Sequence, residues 1–169
     1  MAGPAFQLLI RHPLTGQQIQ QLDSWLKTFT TSMQMTTDTE GQIREWFFLV
    51  DDPTPLGLEH PSRSCYIGIA LVEPNREMVY DEQEQIMTHI GFWPRHGINI
   101  YAMCKSFATG RIMSFLILCL MERFDAWLDL LLVHEVPKRV LFSTLTFTAT
   151  PLQMLARNLY HLGWSDPKC

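Results

Sequence analysis

The chain has 169 residues, of which 47% are apolar and 18% charged, with ten Phe and five Trp; it is long enough to bury about 70% of its unfolded surface, so one folded α+β domain over residues 1–169 is expected rather than a disordered tail or an array of repeats. A net charge of −4 and a pI near 5.8 lack the basic footprint that phosphate backbones require, which argues against direct nucleic-acid binding. Cys65, Cys104, Cys119 and Cys169 show no CxxC spacing and read as reduced thiols of a cytoplasmic protein, and the apolar run from Ile112 to Met121 falls well short of the about 20 residues that span a bilayer. The opening "MAGPAFQLLIRHP" has no basic segment ahead of its apolar stretch, so no signal peptide is read there.

In chain order, Ala5 to Ile10 is a short apolar run closed by Arg11-His12-Pro13, which predicts a strand ending at a turn. Thr15 and Gln18 stand at capping-box spacing, and Ile19, Leu22, Leu26, Phe29 and Met33 recur in steps of three and four. This predicts an amphipathic helix running through Met33 and packed on a sheet, since the pattern is too short for a coiled coil. "MTTDTEGQ" reads as a polar connection, Ile43 to Val50 as a strand, "DDPTPLGLEHPSR" as a loop, and Ser64 to Val72, apolar on both parities, as a central strand covered on both faces.

Asp81 is placed to cap a second helix with Glu84 at its third position; Ile86, Met87 and Ile90 form its apolar face and Gly91 ends it. Pro94 prevents the helix from resuming and pushes Trp93 toward extended backbone. From Ile98 to Met103 the residues alternate, with Ile98, Ile100 and Ala102 on one side, which predicts a strand. Thr109 offers a cap for a helix to about Phe124, apolar nearly all round and therefore central. "WLDLLLV" and "VLFSTLTFT" read as strands, and Thr150-Pro151 starts a last helix striped by Leu152, Leu155, Leu159 and Leu162. The expected order is β-α-β-β-α-β-α-β-β-α: about six strands in a mixed or mainly antiparallel sheet, with about four helices over it.

Little in this pattern promises chemistry. His60, His89, His96, Cys65 and Cys104 have no HxxxH, HExxH or CxxC spacing, so no metal is expected. The glycines never fall into a phosphate-binding loop, and no cofactor is implied. Cys104 beside Lys105 is a candidate nucleophile, set against the commoner role of a packed thiol, and no catalytic residue is assigned. Arg95, in Trp93-Pro94-Arg95-His96, has the planar fork that holds a carboxylate or phosphate, but an arginine beside a tryptophan more often caps carbonyls or stacks on the ring.

The segment "GFWPRHGINIYAMCKSFATGRIMSFLILCLMERF" resembles a family of small bacterial proteins of unassigned function, in which a G-[FW]-x-P-[RK] turn leads into a strand, an A-M-C tripeptide and a long apolar helix; "MAGPAFQLLI" and "LGLE" (Leu56 to Glu59) carry the likeness further along the chain. In size and style the chain is similar to immunity proteins of bacterial polymorphic and contact-dependent toxin systems. That likeness implies a non-enzymatic, cytoplasmic protein, monomeric or homodimeric, that binds a cognate toxin, including a basic nuclease. Asp51, Asp52, Glu59, Asp81 and Glu82 are then the natural partner-binding acids by charge complementarity. Two alternatives stay open: a small hydrolase or transferase with a site near Arg95 and Cys104, and a subunit of a larger assembly.

Overall fold

The computed structural model describes residues 5–30, 32–50, 66–76, 78–103, 107–129 and 141–142. The strands are β1 (Ala5–Ile10), β2 (Ser32–Thr37), β3 (Ile43–Leu49), β4 (Ile67–Val72), β5 (His96–Ala102), β6 (Trp127–Asp129) and β7 (Leu141–Phe142), and the helices are α1 (Gly16–Leu26), α2 (Tyr80–Ile90) and α3 (Phe107–Phe124). All strand pairs are antiparallel, in the spatial order β2-β3-β4-β5-β1-β6-β7. The N-terminal strand thus sits between β5 and β6 rather than at an edge. The mainly antiparallel α+β class and the β3–β4 hairpin follow the sequence pattern.

Side-chain alternation divides the sheet into two faces. Phe6 and Leu8 of β1, Trp46 and Phe48 of β3, Ile69 of β4, and Ile98 and Ile100 of β5 all point to one side and are fully buried. They share one core with Ile19, Leu22 and Leu26 of α1 and with Ile112, Leu116 and Leu120 of α3. The opposite side receives α2, whose Ile86 and Ile90 meet Leu9, with Met78, Phe92 and Trp127 packed around them. Helices therefore cover both faces.

The capping box of α1 is present: the Gln18 amide N–H donates to Thr15 Oγ1 at 3.3 Å, while the Thr15 amide N–H donates to Gln18 Oε1 at 2.9 Å. The helix stops at Leu26, seven residues short of the expected Met33. Its last turn tightens, with the Thr28 and Phe29 amides bonding carbonyls three residues back and Thr28 Oγ1 donating to the Trp25 carbonyl at 2.7 Å. Phe29 is buried all the same, edge-on to Trp25 and Phe48, and Met33 packs on the same core from β2. The helical rhythm thus continued by coincidence through a turn and into a strand. Met35 to Thr37, expected in a connection, belong to β2, and Asp38 holds the following turn by accepting from the Glu40 and Gln42 amides at 2.9 Å each.

Two caps differ from expectation. The N-cap of α2 is Val79, without a side-chain cap, so Asp81 and Glu82 lie inside the first turn, where the positive end of the helix dipole favours them. Thr109 is not the cap of α3, which begins at Phe107. Gly91 does end α2, at φ 80°, a left-handed conformation that suits glycine. The order differs by the additional strand β2; of the expected strands over 127–133 and 140–148, β6 and β7 are described, and the expected helix after Thr150 lies outside the described residues.

Candidate functional site

Two features of the α2 side stand apart from packing. The first is at the start of α2. Val79 and Tyr80 are each 65% exposed, outside the stripe of Ile86 and Ile90 that seats the helix. The Tyr80 ring lies 5.7 Å from that of Trp93, which is half-buried beyond Gly91. Asp81 is exposed and Glu82 partly exposed in the same turn. An exposed tyrosine against a half-buried tryptophan, bordered by carboxylates, has the make-up of an interface anchor, since Tyr and Trp offer large contact area at small entropic cost.

The second is a groove of about 580 Å³ at the sheet end where β1 and β4 finish and β5 begins. Gln7 and Asn99, paired across β1 and β5, contribute to its lining; Gln7 Nε2 donates to Asn99 Oδ1 at 3.0 Å, and Gln7 is only 8% exposed. Arg44, Arg76 and His96 bring positive or protonatable groups to it. Arg44 Nε bonds Asp38 Oδ2 at 2.7 Å, and Arg76 Nε bonds Glu73 Oε2 at 2.6 Å. Hydrogen bonds from the Gln42 backbone, with further help from Arg44 and the Glu40 amide, hold the Asp38 carboxyl below its usual range.

Toward the other end of β4 and β5 the sheet carries a polar aromatic row. Phe47 stacks on Tyr66 at 4.8 Å and lies 6.5 Å from Tyr101, whose hydroxyl donates to Glu45 Oε1 at 2.5 Å. Burial, reinforced by that carboxylate, pushes the Tyr101 phenol up to about 12. Gly68 makes the row possible: a Cβ there would lie 2.0 Å from Tyr101 Cζ.

The stretch from Gly91 to Met103 is largely structural. Phe92 packs under α2, Pro94 and Gly97 are buried, and Ile98, Ile100 and Ala102 are core. Arg95 is exposed and, among the described residues, neither stacks on a ring nor caps a helix; it is Arg11 that lies over Phe92, at 5.3 Å. Arg95 and His96 do not share the groove, which only His96 lines. Cys104, Asp51, Asp52 and Glu59 lie outside the described residues, so of the expected partner-binding acids the structure places Asp81 and Glu82. Among the described residues no three His, Cys, Asp or Glu side chains gather as metal ligands, and no helix is long and apolar enough to cross a membrane. The Cys119 thiol is half-buried, and burial, with Glu122 nearby, pushes it up to about 11, away from nucleophilic use.

Tyr80 and the groove residues other than His96 escaped the sequence reading. Val79-Tyr80 had one local signal, an apolar pair off the helix stripe directly before acids. The groove had none, because its lining comes from positions as far apart as Gln7 and Asn99, 92 residues distant in sequence.

Fold and surfaces together define a small α+β protein whose antiparallel sheet is buried by two helices on one side and partly covered by a third on the other. The chain belongs to a family of unknown function (DUF6368), whose model matches residues 2–161. No curated protein and no solved structure matches it.

Proposed function

We propose that the protein is a non-enzymatic binding protein of the immunity type, acting in the cytoplasm to neutralise a cognate toxin domain by direct contact through the start of α2. The observation that carries this reading is the exposed Val79-Tyr80 pair, with Tyr80 against Trp93 and with Asp81 and Glu82 beside it. An aromatic centre supplies affinity once desolvated, and flanking carboxylates steer a basic partner such as a nuclease, so that association weakens as salt rises.

The test is calorimetric titration of the whole chain with the toxin domain encoded beside it. A complex is expected whose affinity falls about thirtyfold or more on Tyr80→Ala, the loss typical of an interface hot spot. Asp81→Lys together with Glu82→Lys should mainly slow association and flatten its salt dependence. Absence of a complex, or a complex indifferent to all three substitutions, sinks the reading.

A further inference from the structure

We propose that the groove where β1 and β4 end and β5 begins is a binding site for a mononucleotide, read at its base by the Gln7–Asn99 amide pair and at its phosphate by Arg44 and Arg76. The argument starts with the amides. The single bond between them uses a Gln7 N–H and the Asn99 oxygen, which leaves Gln7 Oε1 as an acceptor and Asn99 Nδ2 as a donor with no protein partner among the described residues. Gln7 is more than nine-tenths buried and fixed by its bond to Asn99, so a ligand donor reaching Oε1 meets an acceptor already held in place. An acceptor and a donor on adjacent strands of one face match the hydrogen-bonding edge of a nucleobase, the pairing by which Asn and Gln recognise adenine.

The rest of the lining fits the other parts of the same molecule. Val72 and Pro74 offer apolar surface for a flat ring. Gly97 lets Pro74 close against β5, since a Cβ there would fall 2.8 Å from Pro74 Cγ and from the Leu8 carbonyl. Among the described residues Arg76 is held by Glu73 alone, in a pair whose side chains are 76% and 52% exposed, an attachment weak enough to yield to a phosphate. A volume of about 580 Å³ lies in the range of small-molecule sites. A net charge of −4 disfavours a polyanionic polymer, and the groove is matched to a single nucleotide.

The experiment is calorimetric titration of the full chain with AMP, GMP, CMP and UMP, alongside inorganic phosphate and the four free nucleosides. At least one mononucleotide should bind saturably, one per chain, at least about tenfold tighter than phosphate or its own nucleoside. Arg76→Ala, at an exposed position, should lower that affinity about tenfold and leave nucleoside binding unchanged. Asn99→Ala should erase the preference among bases, and Arg76→Ala decides the matter alone if that variant does not fold. Lack of saturable binding by all four, phosphate binding as tightly as the nucleotides, or affinity untouched by Arg76→Ala each overturns the proposal.

Discussion

The two faces of the sheet solve different problems with one backbone. On the side of α1 and α3, successive inward residues are Phe, Leu, Ile and Trp with essentially no contact with water. Burial of that kind is non-directional and stabilising, and it rewards any residue that fills the space. On the side of α2 the same strands present Gln7, Glu45, Tyr101 and Asn99, whose hydrogen bonds have fixed partners. The first face holds the molecule together. The second is where polar groups, the groove and the exposed start of α2 collect, so recognition is expected there.

Substitutions should separate the faces by size of effect. Trp46→Ala removes a fully buried ring from the first face and the indole N–H that donates to Asp23 Oδ1 at 3.2 Å, so a loss of about 4 kcal/mol in unfolding free energy is expected by denaturant titration. A loss under about 1 kcal/mol would mean that this side is not the tight core described. Gly68→Val tests the aromatic row on the second face. The added atoms collide with the Tyr101 ring and should cost about 2–3 kcal/mol, and Tyr101→Ala in the same chain should recover part of it.

Tyr101→Phe should be milder, about 1 kcal/mol near neutral pH, for one hydrogen bond. Its signature is pH dependence. The folded state holds the phenol proton more tightly than the unfolded chain, about 12 against 10.0, so the Tyr101 contribution is complete below pH 10 and fades between pH 10 and about 12. Cys119, raised from 9.0 to about 11, adds a similar loss beginning near pH 9. The penalty of Tyr101→Phe measured at pH 11 should therefore be smaller than at pH 8; equal penalties would refute the raised phenol. Smallest of all, Tyr80→Ala should leave stability within about 0.5 kcal/mol, because the side chain is mostly in water. A thermal shift of several degrees would instead make Tyr80 a packing residue.

Much of the local structure was legible beforehand because it rests on short-range chemistry. Thr15 and Gln18 cap each other three residues apart, Gly91 closes α2 in a left-handed conformation, and the alternation of Ile98, Ile100 and Ala102 needs only neighbouring residues to be read. The helix read through Met33 failed for the same reason it was attractive. A buried turn residue, Phe29, and an inward strand residue, Met33, happened to continue a helical rhythm, and periodicity alone cannot tell one buried side chain from another.

What the amino-acid order determined by itself, then, was the α+β class, most element positions and the inward face of β5, all of which depend on propensity, capping and alternation within a few residues. Only the tertiary structure decided that β1 lies between β5 and β6, that α2 covers the face opposite α1 and α3, and that Gln7 meets Asn99 while Glu45 meets Tyr101. Those outcomes are set by contacts between residues 56 and 92 positions apart, where the choice among strand pairings depends on how the whole sheet buries its surface, and no local pattern encodes that sum.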